Sequence, residues 1–408
     1  MDKGTLVARS IMKHANSNYE QPAFRPEGVR ICVTGLRGIP GVMGGVEVHC
    51  EQLFPRLKAL QPDYEILVVG RRPYVRSRSF DFNGVRVVPL PAMPGKYFEA
   101  ISNTTIAVLY ARFVFHARLL HIHNIGPALV GPLARLLGMK LVVTYHSKNY
   151  EHAKWNRIAR AALRFGEWCA VIAAHRMIFI SISMADDIRS RYPRSSRKFT
   201  VIPNGATHFP EPDADDDGRP LLNRFGLAAR QYVLGVGRLV PEKSFHTLIE
   251  AYIAAAPDFK LVIVGRADHE DDYSRRLLAH ANDQICFTGF RSQQELSTLY
   301  RNASLFVLPS THEGLPIAVL EAASLDVPVL LSDIQPNLDI DLPAQCYFPV
   351  GDVQALRRKL LQPHESYRID RESIARRFDW SLVAEQTNEL YAAVCATRTG
   401  RMRAAQSG

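Results

Sequence analysis

Leu305-Phe-Val-Leu-Pro-Ser-Thr-His-Glu-Gly-Leu-Pro-Ile-Ala-Val-Leu-Glu321 runs from an apolar segment through a polar turn into a helical pattern. The apolar run suits a short buried strand, and Ile317, Leu320 and Ala323 have the spacing of a helix that opens with Pro316 in its first turn. Glu313 is thus expected in a strand-to-helix turn, and Glu321 about two turns in, on the flank of a buried face. A helix start presents free backbone N–H groups and a positive dipole end, so Gly314, Leu315, Pro316 and Ile317 are expected to face a phosphate. A carboxylate beside a phosphate is awkward. Glu313 is better suited to accept hydrogen bonds from neutral hydroxyls such as those of a sugar, and Glu321 to hold a vicinal diol, as in a ribose. Taken alone, the two are equally well a dipole-stabilising surface Glu and an Arg-paired helical Glu.

Working outward, the same strand-then-helix rhythm fills the chain. The first half carries apolar runs at residues 29–34, 64–69, 85–90, 119–123, 141–145 and 177–181; the second carries them at 232–236, 260–264, 284–287, 305–309 and 327–331. Near-continuous apolar strands separated by helices predict parallel sheets covered on both faces. The expected class is α/β, with two Rossmann-like domains facing one cleft. The boundaries are a loose leader over 1–28, a first domain over 29–205, a linker over 206–228 containing the acidic, Pro-rich stretch Pro210 to Pro220, and a second domain over 229–378. A last helix over 379–397 can pack back on the first domain. Ligands of such sheets bind beyond the carboxyl ends of the strands.

Composition narrows the setting. The 408 residues are 47% apolar, too many for one ordinary core and enough for two. Six scattered cysteines with no Cys-x-x-Cys pair argue for a reducing compartment and against structural zinc. No segment reads as a membrane span; Trp168 to Met184, the nearest, is broken by His175 and Arg176 and reads as a helix end followed by a strand. The net charge of +10 hides an asymmetry: residues 1–200 hold 29 Lys and Arg against 13 Asp and Glu, and residues 201–408 hold 21 against 27. A basic first half is expected to meet something anionic, either a membrane surface, a lipid diphosphate or nucleic acid.

Three further constellations sit at strand ends. Gly235-Val-Gly-Arg-Leu-Val-Pro-Glu-Lys243 places two cations, Arg238 and Lys243, where they can clamp both phosphates of a nucleotide diphosphate. Gly35 to Glu47 is glycine-rich, and Gly44 and Gly45 at the next helix start permit close backbone approach to an anion. Its spacing does not match the dinucleotide fingerprint, which argues against NAD. His121, His123 and His146 close two strands; the first two are expected to be structural and His146 functional. No metal is expected, because no carboxylate is committed beside the histidines and the Asp-x-Asp pairs, such as Asp339 with Asp341, fall in loops.

Together these pieces resemble the retaining GT-B glycosyltransferases of family 4, from about Val29 to Val394. The matching motifs are Gly44-Gly-Val-Glu47, Thr144-Tyr-His146, Ile202-Pro-Asn-Gly205, Val236 to Lys243, Phe287-Thr-Gly-Phe290 and Glu313 to Glu321. The Arg37 to Glu47 loop and Lys154-Trp155 are similar to a rhamnosyltransferase-like bacterial branch linked to surface polysaccharide synthesis; rhamnose itself is not carried over. The resemblance implies that Arg238 and Lys243 bind the donor diphosphate, with Gly44 and Gly45 closing over it. Glu321 would hold the ribose, Glu313 and His146 the transferred sugar, and Phe290 and Arg291 would lie near the base. It implies no cofactor, a nucleotide diphosphate sugar donor (UDP-sugar favoured, GDP- or dTDP-sugar possible) and a lipid-linked saccharide acceptor rather than nucleic acid. The expected location is cytoplasmic, peripheral on an anionic membrane. A nucleotide-sugar epimerase and an inactive sugar-nucleotide-binding protein are the alternatives.

Overall fold

The computed structural model describes residues 28–95, 98–151, 156–207, 209, 218–268 and 270–396. The leader apart from Gly28, the Lys154-Trp155 pair and most of the acidic stretch therefore lie outside the described residues. Among the described residues, fourteen strands form two sheets. The first contains β1 (Arg30–Thr34), β2 (Glu65–Arg71), β3 (Phe80–Phe82), β4 (Val85–Leu90), β5 (Leu119–His123), β6 (Lys140–Tyr145), β7 (Arg176–Phe179) and β8 (Phe199–Val201) in the order β3-β4-β2-β1-β5-β6-β7-β8. The second contains β9 (Tyr232–Val236), β10 (Lys260–Val264), β11 (Ile285–Gly289), β12 (Leu305–Leu308), β13 (Val329–Ser332) and β14 (Tyr347–Phe348) in the order β11-β10-β9-β12-β13-β14. Every pairing is parallel except β3 with β4.

The α/β, doubly covered layout is the expected one, and the reason is visible in the burial. All of Leu305–Leu308 and all of Val329–Ser332 are buried, as strands sandwiched between helices must be. Each such Leu, Val or Phe contributes about 1.5–3 kcal/mol by leaving water. Three strands were not expected: β3, β8 and β14 are only two or three residues long. For β3 a signal existed, since Phe82-Asn-Gly-Val85 is a two-residue hairpin turn with Asn83 and Gly84 both at positive φ.

The segment expected to be a linker carries structure of its own. Residues 219–224 form a helix, and Leu222 and Leu227 are buried. A side chain at Gly218 would meet Thr298 at 2.4 Å, so this segment is pressed onto the second domain. The C-terminal helix Trp380–Ala396 lies on the first domain. There the Tyr64 hydroxyl donates to Asn388 Oδ1 at 2.8 Å, Arg118 donates to the Cys395 carbonyl at 2.9 Å, and Tyr391 meets His121 Nδ1 at 2.5 Å. The last helix thus helps to build the core that the first sheet needs.

Candidate functional site

The sheet order explains how the second domain assembles a site. β9 and β12 are neighbours, so the loops that leave their carboxyl ends lie side by side. The Thr311 amide donates to the Glu242 carbonyl at 2.9 Å and ties the two loops together. That tie brings Lys243 Nζ to 2.6 Å from Glu313 Oε1, with both side chains largely buried. Arg238 stands on the same rim, where its Nη1 donates to Asp268 at the end of β10, at 2.7 Å.

The helix after Glu313 begins one residue later than expected. Pro316 is its N-cap with extended backbone, and Ile317–Ser324 is the helix. Proline has no N–H, so of the four backbone positions expected to face a phosphate, Pro316 contributes none. Leu315 and Ile317 turn their side chains inward, and the Leu315 carbonyl accepts from Asn204 Nδ2 at 2.8 Å across the cleft. Gly314 itself sits against the first domain, where an added Cβ would lie 1.9 Å from the His146 carbonyl.

Opposite, Gly44 caps and Gly45 opens the helix Gly45–Leu60. The spacing has a local cause: a Cβ at Gly44 would stand 2.1 Å from Glu47 Oε2 and 2.5 Å from Arg37 Nη2. Between the domains runs a cleft of about 410 Å³, lined by Ser147, Lys148 and Asp187 on one side and Thr311, His312 and Glu313 on the other. Ser183 donates both its amide and its hydroxyl to Asp339 Oδ2, at 3.0 and 2.6 Å, which holds the two walls together.

Glu321 is 7% exposed; Thr207 and Tyr300 donate to its two oxygens at 2.9 and 3.2 Å. Burial pushes its carboxyl up to about 7, against the pull of the Thr207 and Tyr300 hydrogen bonds. A carboxyl whose folded value is raised stabilises the fold below its ordinary value of 4.5 and loses that contribution as pH rises through about 7. Glu321→Gln should therefore lack this loss. Between pH 5 and pH 8 wild type should fall in urea stability relative to the variant by about 3 kcal/mol. Parallel pH profiles for the two proteins would show the carboxyl to be ordinary.

The histidines of the strand ends pack together. His146 is buried like the other two: its Nε2 meets His123 Nδ1 at 2.9 Å, and it is not among the described residues lining the cleft. Its ring faces inward, while its carbonyl faces Gly314. His49, which no motif singled out, completes the group; its Nδ1 meets Asn204 Oδ1 at 2.8 Å. Since the Asn204 amide nitrogen donates to Leu315, its oxygen is the acceptor, and His49 carries its proton on Nδ1. His49, His123 and His146 each offer a ring nitrogen within 4.8 Å of the others, the nearest approach to a metal-ligand set among the described residues. Burial lowers all of their values, His49 to about 4, so the rings are neutral.

Phe290 is half exposed at the end of β11, with the Arg266 guanidinium 5.9 Å from its ring centre. Arg291 folds back instead, donating to the Thr288 carbonyl at 2.5 Å and to Glu295 at 3.3 Å. Of the pair, Phe290 presents more open surface to a ligand.

Comparison with known proteins converges on this arrangement. Residues 43–208 match the family model described as Glycosyltransferase Family 4, and residues 225–376 match Glycosyl transferases group 1. The chain is similar to alpha-maltose-1-phosphate synthase of Mycolicibacterium smegmatis, 26% identical over 395 residues, which cover 88% of this chain and 97% of that protein. It is 28% identical over 229 residues to the UDP-Gal:alpha-D-GlcNAc-diphosphoundecaprenol alpha-1,3-galactosyltransferase of Escherichia coli, covering 54% of this chain and 58% of that one. Among solved structures, Anabaena HepE in complex with UDP and glucose superposes with a TM-score of 0.68 at 18% identity, over 90% of this chain and 100% of that chain. Two parallel Rossmann-like sheets, a cleft between them and both family models in order place the chain in family 4 of the GT-B glycosyltransferases, which transfer a sugar from a nucleotide sugar.

Proposed function

We propose that the protein is a retaining hexosyltransferase that moves a sugar from a nucleotide diphosphate sugar to a lipid-linked or growing glycan in surface polysaccharide synthesis. The observation that carries this reading is the Lys243–Glu313 pair at 2.6 Å beside the Gly314–Ile317 turn, with Arg238 on the same rim. In this reading Arg238 and Lys243 take the donor diphosphate, Gly44 and Gly45 approach it from the other domain, and Glu313 accepts from the sugar hydroxyls. The sugar C1–O bond to the diphosphate breaks, and the acceptor oxygen bonds to C1 on the same face. The acceptor proton passes to the departing phosphate oxygen, whose charge the two cations offset. Glu321 takes the ribose diol, Phe290 and Arg291 lie by the base, and His146 reaches the sugar by turning its ring from His123. UDP is the favoured nucleotide, as HepE was solved with UDP and glucose, and an undecaprenyl diphosphate acceptor fits the name of the E. coli relative.

A peripheral membrane position is supported by the helix Arg157–Ala173. Ile158, Phe165, Trp168 and Ile172 stand 81%, 54%, 45% and 47% exposed along it, flanked by the exposed Arg157, Arg160 and Arg164. Apolar side chains beside arginines on one helix suit the interface of an anionic leaflet. No helix among the described residues is long and apolar enough to cross a membrane.

The test is a thermal-shift screen over UDP, GDP, dTDP and their sugars, followed by transfer assays with the stabilising donor on a pool of lipid-linked saccharides. Labelled sugar should appear on lipid with retained anomeric configuration. Isomerised free sugar nucleotide without acceptor would make the protein an epimerase, and binding without turnover across the pool would make it a binding protein. In the same preparation, Phe165→Ser with Trp168→Ser should lower sedimentation with phosphatidylglycerol vesicles roughly tenfold. Equal sedimentation would remove this face from the membrane.

A further inference from the structure

Arg37, in the glycine-rich loop after β1, is a tightly held cation. Its backbone amide and Nε donate to Glu47 Oε1 at 2.9 and 3.2 Å, and Nη2 donates to the Met43 carbonyl at 2.8 Å. The guanidinium also lies 5.6 Å from the Tyr74 ring centre. These contacts fix the group within the first domain and leave Nη1 pointing across the cleft. There it donates to Asp268 Oδ1 at 2.6 Å, while Arg238 Nη1 donates to Asp268 Oδ2 at 2.7 Å.

One carboxylate thus joins two guanidinium groups from opposite domains. Its place is also fixed by backbone: Gly237 donates to the Val264 carbonyl at 2.9 Å and Leu239 to the Arg266 carbonyl at 3.2 Å, so the β9 and β10 end loops move as one. At Gly265, φ is +135° and a Cβ would stand 1.9 Å from the Gly237 carbonyl. No other residue permits that approach. The two oxygens of a carboxylate meet two N–H donors in the same manner as two oxygens of a phosphoryl group.

We propose that Arg37 is a third ligand for the donor diphosphate, supplied by the first domain, and that Asp268 occupies the anion position between Arg37 and Arg238 until the donor displaces it. This rests on the reading of Arg238 as a diphosphate ligand. Asp268 keeps two cations from repelling each other in the free protein and holds the domains in register; a diphosphate carries more charge and spans the same donors. Displacement makes donor binding weaker than the cations alone would give, and it couples binding to the contact between domains. Arg37 is the positioning group that reports, from the first domain, that the diphosphate is in place.

Isothermal titration of wild type, Asp268→Asn and Arg37→Lys with UDP, GDP and dTDP, and with the matching nucleosides, tests this. Asp268→Asn should bind its preferred nucleoside diphosphate roughly fivefold tighter, and Arg37→Lys roughly tenfold weaker, as expected for gain or loss of one partly screened charge contact. Nucleoside affinity should not change in either variant, which separates a phosphate contact from general loosening of the fold. Weaker diphosphate binding by Asp268→Asn would make Asp268 an orienting partner of Arg238 and overturn the proposal. Equal diphosphate affinities in all three proteins would overturn it as well. If no diphosphate binds wild type, the donor-site reading itself falls and takes this inference with it.

Discussion

Glu313→Ala is expected to reduce sugar transfer by about a hundred- to a thousandfold while leaving the protein folded and able to bind nucleoside diphosphate. Glu313 has one described ion pair, with Lys243 at 2.6 Å, and both groups lie on the cleft rim rather than in either core. With the two side chains 18% and 10% exposed, removing one partner costs about 1–3 kcal/mol, within the stability of an ordinary domain, so the fold should survive. The effect on chemistry is of another order. A carboxylate that accepts from sugar hydroxyls fixes the anomeric carbon against the acceptor, and removing one preorganised polar contact of this type typically costs a hundred- to a thousandfold in rate. Truncation also frees the Lys243 ammonium, so diphosphate affinity should hold or rise as kcat collapses. Lys243→Ala should show the opposite split, with donor affinity lost first. Near-normal turnover by Glu313→Ala would remove Glu313 from the reaction, and loss of nucleotide binding in that variant would mean its role is structural.

The sequence carried the layers of this fold because parallel strands buried on both faces must be apolar along their whole length. Leu305–Leu308 and Lys260–Val264 announce themselves that way. The short edge strands β3, β8 and β14 pair on few residues and leave no such run. Within the site, Arg238, Lys243 and Glu313 were legible because each follows an apolar run, at a strand end. Asp268, Asn204 and His49 were not, because their meaning is a contact across the cleft or through a core. Asn204 stood in a quoted motif, but its hydrogen bonds to His49 and Leu315 join residues separated by more than a hundred positions. Proline at a helix start misled by one residue: Pro316 occupies the cap and Ile317 the first turn. The Thr207 and Tyr300 hydrogen bonds to Glu321 were not legible either, because no local pattern connects those hydroxyls to it.

Gly314→Ala should lower kcat by about a hundredfold with nucleoside diphosphate affinity changed by less than roughly threefold. The glycine is required by space, not by backbone strain: an added Cβ would stand 1.9 Å from the His146 carbonyl and 2.8 Å from the Ile180 side chain. His146 follows β6 and Ile180 follows β7, so both obstacles belong to the first domain, and neither carbonyl nor neighbouring strand end yields readily. The turn after Glu313 must then retreat from the first domain by about an ångström to reach ordinary contact distance, and the adjacent Asn204 to Leu315 hydrogen bond of 2.8 Å is lost with it. Arg238, Lys243 and the helix Ile317–Ser324 all remain within the second domain, and alanine keeps the backbone N–H, so the nucleotide should bind much as before. What changes is the alignment of the donor sugar with whatever the first domain presents to it, and a displacement of that size is enough to cost two orders of magnitude in rate. Single-turnover rates measured beside calorimetric affinities separate the two effects. A variant with wild-type kcat would mean that the contact between Gly314 and His146 is incidental to catalysis.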